Sequence, residues 1–198
     1  MSERIYIFKR FERFWHWSQA ALIMFLMLTG FEIHGGYRLF GFENAVSYHT
    51  FAAWTLVSLW VFAVFWHFTT GEWKQYVPTM EKVDAMFKYY VTGIFTNAPH
   101  PFRQTTLTKH NPLQRLAYLF VFVVVNPVIW FSGWAYLFYN ELSVVGLGGL
   151  PLSWIAFFHV AGAFMMLIFF IAHVYLATAG HTPTAHIKAM VTGWEETD

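Results

Sequence analysis

No cysteine occurs anywhere in the 198 residues. Its absence excludes disulfides, cysteine-type zinc sites, iron–sulfur clusters and haem attached covalently through C-x-x-C-H. Charge is scarce as well. Asp, Glu, Lys and Arg make up 12% of the chain against 57% hydrophobic residues, where a soluble domain carries about 25% charged residues. A chain so poor in charge cannot keep its surface wet, so lipid is the expected solvent. A net charge of +1 without a basic cluster gives nucleic acid nothing to bind. There is no hydrolytic motif and no Gly-rich nucleotide loop, and the chain is too short for a separate catalytic domain. It reads as one membrane domain over 1–198. No small-residue cleavage site follows the first apolar stretch, which is therefore expected to remain as a helix.

What is present is apolar and aromatic. Aromatics reach 22%, including ten Trp and ten Tyr, residues that favour membrane–water interfaces. Four stretches approach the roughly 20 residues that a span needs: about 14–33, 48–68, 115–138 and 153–178. Asn126-Pro127 inside the third predicts a kink. Basic residues set the orientation. Arg4, Lys9, Arg10 and Arg13 precede the first span. Lys74, Lys82, Lys88, Arg103, Lys109 and Arg115 lie between the second and third, and Lys188 follows the fourth. Arg38 alone falls on the other side. Both termini and the long middle loop are therefore expected in the cytoplasm. Within that loop Val83, Met86, Phe87, Tyr90, Val91 and Ile94 recur at helical spacing, which predicts an amphipathic helix on the cytoplasmic surface. The expected fold is all-α: a four-helix transmembrane bundle with one interfacial helix.

Ionisable residues inside spans are costly and mark function. His16, His49, His67, His159 and His173 fall there. His49 and His159 share the outer depth, and His16 and His173 the cytoplasmic depth. His159 and His173 are fourteen residues apart, which brings them within about 40° on one helix face and separates them by about 21 Å. Two ligands at each of two depths do not converge on one bare ion. They suit two stacked haems, each saturated by two imidazoles for electron transfer. Gly162, one turn from His159, would supply room beside a ring. Arg10 and Arg13 would hold propionates of the cytoplasmic haem. His67 lies on the face of His49 at the cytoplasmic end and is an alternative to His16 as partner of His173. His34, His100, His110, His181 and His186 read as solvated surface, with His110 distinguished by its neighbours Asn111 and Gln114.

RFERFWHW at 10–17, LTGFEIHG at 28–35, YHTFAAW at 48–54, HNPLQR at 110–115, FFHVAGAFMMLIFFIAHVY at 157–175 and the tail HIKAMVTGW at 186–194 give the chain a resemblance along nearly its whole length. It resembles the cytochrome b subunits of membrane-bound formate dehydrogenase, thiosulfate reductase and nickel–iron hydrogenase, relatives of bacterial cytochrome b561. The resemblance implies haem b held by His49 with His159 on the outer side and a second by His16 with His173 on the cytoplasmic side. It also implies a quinone, menaquinone or ubiquinone, beside the cytoplasmic haem, met by Asn111 and Gln114 with His110 adjacent. Leu113 stands where the formate dehydrogenase members have Gly, and Pro112 precedes it, so a second reading of Asn111-Pro112 is a helix cap.

The expected function is that of an electron-transfer subunit in the bacterial inner membrane. It would link an iron–sulfur or multihaem partner subunit on the periplasmic side to quinone. The alternatives are a stand-alone b561-type quinone oxidoreductase and a non-redox membrane anchor or transporter.

Overall fold

The computed structural model describes residues 3–96, 98–180 and 182–197, so His181 lies outside the described residues. Helices dominate it. α1 (Arg10–Ile33) and α2 (Phe42–Thr70) form one hairpin. α4 (Pro112–Phe120), a π-helical turn (Val121–Val125) and α5 (Asn126–Leu137) follow one another as a single rod, which pairs with α6 (Leu152–Ala177) in a second hairpin. Among the described residues three helices are long and apolar enough to cross a membrane: Phe42–Thr70, Pro112–Leu137 and Leu152–Ala177. α1 is 24 residues long but carries Arg10, Glu12 and Arg13 in its first turn and Glu32 near its end.

Local chemistry explains the boundaries. The Glu12 carboxylate reaches back to accept from Lys9 N at 2.7 Å, fastening the start of α1. At its far end the buried Glu32 Oε1 accepts the backbone N–H groups of Leu39, Phe40 and Gly41, each at 2.8 Å, and so closes the loop into α2. Gly71, at φ +77°, ends α2 in the left-handed conformation that glycine tolerates. Just before Asn126-Pro127, where a kink is expected, the helix widens into a π-helical turn. Pro127 cannot donate to the ladder and its ring crowds the carbonyl four residues earlier, and a wider turn relieves both.

The two hairpins differ in how they touch. Within each, helix packs on helix; Gly162 on α6 is so close to α5 that an added Cβ would lie 2.6 Å from Ile129 Cγ1. Gly162 therefore makes room for a helix, not for the ring predicted beside it. Between hairpins the contact is largely aromatic: Trp60 stacks on Phe122 at 5.6 Å, Trp54 on Trp134 at 6.3 Å, and Phe31 meets Phe164 edge-on at 5.7 Å.

The loop helix begins as α3 (Val83–Lys88) and runs through π and 3-10 turns to Thr96. Its apolar residues divide. Met86 and Tyr90 are buried against Ala179, with Leu113 and Leu176 packed around them, whereas Phe87 and Val91 stay exposed. Beyond α6, α7 (Ala185–Thr192) leads into β2 (Trp194–Thr197), which pairs antiparallel with β1 (Glu3–Tyr6). The first and last described segments thus form one two-stranded sheet, anchored by Ile7 and Phe8 packing on Ala189.

Candidate functional site

The structure brings the predicted histidines together in pairs. His49 on α2 faces His159 on α6, with ring centres 6.2 Å apart. His16 on α1 faces His173 on α6 at 6.0 Å. Two imidazoles on opposite sides of one metal place their ring centres about 6.2 Å apart, twice the sum of a metal–nitrogen bond of about 2.0 Å and about 1.1 Å from nitrogen to ring centre. Each pair is therefore spaced as two imidazoles that would hold one haem between them. Among the described residues no three His, Asp or Glu side chains converge as a bare ion would need.

The pair expected at the outer depth, His49 and His159, is held by a device that occurs twice. Thr29 Oγ1 lies 2.9 Å from His49 Nδ1, and Ser132 Oγ lies 3.0 Å from His159 Nδ1. The next residue in each case is a glycine: a Cβ on Gly30 would lie 3.2 Å from His49 Cε1, and one on Gly133 would lie 3.3 Å from His159 Cε1. Each hairpin thus contributes a hydroxyl–glycine pair from its first helix to seat the imidazole of its second. Sequence reasoning passed over these four residues, because Thr and Ser inside helices normally bond only to their own backbone. The inner pair is seated differently. His16 Nδ1 is buried without a hydrogen-bond partner, and its ring meets Trp17 edge-on at 5.1 Å. The His173 ring stacks on Phe169 at 5.6 Å.

His67 is not brought to His173. Its Nδ1 hydrogen-bonds the Ala63 carbonyl at 2.6 Å, and its ring meets Trp15 at 5.1 Å and Tyr76 at 5.4 Å. Tyr76 in turn meets His110, which meets Tyr118, which meets His173, at 5.1, 5.1 and 6.5 Å. A continuous group of aromatic and imidazole rings therefore joins the inner pair to the middle loop. Burial, with the nearby Lys109 and Arg115 charges, pushes His110 down to about 3, so it is neutral at pH 7.

Beside this group lies an ion cluster in which Lys109 and Glu12 are buried and Lys9 is half exposed. Lys109 Nζ donates to Glu12 Oε1 at 2.7 Å and to Glu72 Oε2 at 2.8 Å, and Lys9 Nζ donates to Glu72 Oε1 at 2.5 Å. Burial pushes the Glu72 carboxyl up, but the hydrogen bonds from Lys109 and Lys9 outweigh it and hold the group below the usual carboxylate range. Asn111 and Gln114 form a reciprocal capping box, at 2.9 and 3.0 Å, at the start of α4. Asn111 Nδ2 also donates to Tyr90 Oη at 2.7 Å. That leaves the Gln114 Nε2 amide as the donor of the pair with no partner among the described residues. Of the two arginines, Arg13 Nη1 donates to the Val191 carbonyl at 2.6 Å, while Arg10 is exposed.

Paired imidazoles inside an apolar helical assembly without cysteine define a class: membrane cytochromes that hold haem b without covalent attachment. The chain belongs to the prokaryotic cytochrome b561 family, whose pattern it matches over residues 7–193. It is also similar to the Escherichia coli (strain K12) protein named "Putative cytochrome YdhU", 30% identical over 199 residues that cover 97% of this chain and 75% of that one. No solved structure matches it significantly. The chain is accordingly a membrane b-type cytochrome of electron transfer.

Proposed function

We propose that this protein is the di-haem membrane subunit of a quinone-linked oxidoreductase, exchanging electrons between a redox subunit on the periplasmic face and quinone at the cytoplasmic side. The observation that carries the reading is the pair of imidazole–imidazole spacings, 6.2 Å and 6.0 Å, supplied by one helix at positions fourteen residues apart. His49 and His159 would hold the outer haem and His16 and His173 the inner one, with Arg10 and Arg13 near the inner propionates. Haem supplies the one-electron chemistry, and the chain supplies position, apolar walls and hydrogen bonds.

In this reading α1 is the fourth span. The pairing of β1 with β2 joins the two ends of the described chain, which supports an even number of crossings. Three helices qualify by hydropathy, and α1, at 24 residues or about 36 Å, is long enough to be the fourth. The excess of Lys and Arg near these ends and in the middle loop supports the cytoplasmic side for them. The loop helix would then lie at the cytoplasmic surface, with Phe87 and Val91 toward lipid. Quinone would enter beside His110 and Gln114, meeting Gln114 Nε2 in place of Asn111, whose amide Tyr90 holds.

Pyridine haemochrome quantitation on the purified protein tests the core of the reading. Two b haems per polypeptide are expected. One haem in an intact preparation refutes the two-pair assignment, and none refutes the haem reading.

A further inference from the structure

We infer that Thr29 and Ser132 are positioning residues that fix the outer pair of imidazoles in one tautomer and set the outer haem at a lower midpoint potential than the inner. The inference rests on the di-haem reading above and goes beyond it.

The hydrogen-bond geometry points to one placement of the protons. Thr29 Oγ1 donates to the Phe25 carbonyl at 2.9 Å, and Ser132 Oγ donates to the Val128 carbonyl at 2.5 Å. With its single proton spent on its own helix, each hydroxyl can only accept from the imidazole. His49 Nδ1 and His159 Nδ1 must therefore carry the hydrogen. In both rings the lone pair is then on Nε2, the atom available to a metal. Gly30 and Gly133 let each ring settle against its helix, and they abut Cε1, the carbon between the two nitrogens.

The same bonds act on the metal. An imidazole that donates from Nδ1 becomes a stronger base at Nε2. Stronger donation favours the oxidised iron and lowers the potential. The inner pair lacks this arrangement: His16 Nδ1 is buried with no partner, and neither His16 nor His173 is hydrogen-bonded to a hydroxyl among the described residues. Two centres with the same ligand type thus differ in ligand basicity, and the downhill direction for electrons runs from outer to inner.

Equilibrium redox titration of the purified protein, followed by visible absorbance, tests this. Two transitions are expected, and His49→Ala should remove the lower one. Thr29→Val and Ser132→Ala should each move the lower transition upward and leave the upper one in place, while Thr29→Ser restores the wild-type value. The expected size is up to about a tenfold change in the reduced-to-oxidised ratio, or about 59 mV for one electron. Ser132→Ala removes one oxygen and adds no bulk, so it decides the matter if Thr29→Val loses haem. The inference is overturned if both haems are retained and neither variant shifts a transition, or if the upper transition is the one that moves. Fewer than two haems in the wild type would instead overturn the reading on which it rests.

Discussion

Lys109 Nζ lies 2.7 Å from Glu12 Oε1 although 97 residues separate the two, and this contact ties the first turn of α1 to the end of the middle loop. Lys109 also reaches Glu72, just beyond α2, so one ammonium group joins three segments around the inner histidine pair. Removing one partner from a buried ion pair leaves uncompensated charge, which costs about 3–5 kcal/mol. Lys109→Met should therefore lower the thermal midpoint markedly, and Lys109→Met combined with Glu12→Gln should recover part of the loss. Differential scanning calorimetry in detergent measures both.

The same cluster predicts a direction with pH. The folded-state pKa of Glu72 is below the ordinary value of about 4.3. Its contribution to stability is thus fully present above that value and is lost as pH falls through the lower folded value. Melting curves from pH 7 to pH 3 should show a loss at the acid end that Glu72→Gln reduces.

His49→Ala and His159→Ala should lose one and the same haem, and His16→Ala and His173→Ala the other. His67→Ala should keep both, because its ring is turned to Trp15 and Tyr76. Haem content and low-temperature spectra of the five variants distinguish these outcomes. Retention of the inner haem in His16→Ala, with its loss in His67→Ala, would reverse the assignment.

Three glycines separate packing from seating. Gly162→Ala forces a methyl to 2.6 Å from Ile129 Cγ1 and should reduce stability while leaving haem spectra unchanged. Gly30→Ala and Gly133→Ala press on the imidazoles of His49 and His159, so they should perturb the outer haem spectrum at smaller cost in stability. Absorption spectra and melting temperatures of the three proteins provide the comparison.

Gln114→Ala should slow electron exchange with a quinol analogue in stopped-flow experiments and leave both haem spectra near wild type. Asn111→Ala should act mainly through the helix start, where loss of a cap costs about 1 kcal/mol. Equal and unimpaired rates in both would place the quinone elsewhere.

The histidine pairs were legible because burying an imidazole in a span demands a reason and helical rise converts residue count into depth. His16 was preferred to His67 as partner of His173 although both lie at the same depth, and the packing of Trp15 and Tyr76 is what turns the His67 ring away. Gly162 was assigned to the wrong neighbour, because spacing along one helix gives a face but not what covers it. The seating pairs at Thr29-Gly30 and Ser132-Gly133 were invisible for a related reason: a hydroxyl that bonds its own helix gives no sequence sign of a second partner across the hairpin. The Lys109 cluster joins residues too distant in sequence for any local pattern to relate.

The four-residue sheet between β1 and β2 also bears on biogenesis. Its two strands are the first and last described parts of the chain, so they cannot meet until every helix between them has been translated and inserted. Zipping Arg4 to Glu196 and Ile5 to Glu195 is then possible only once the last helix has been made, as with a latch. A donor–acceptor fluorophore pair placed just outside the two strands would stay dim in stalled or misinserted chains and report each completed molecule as it closes.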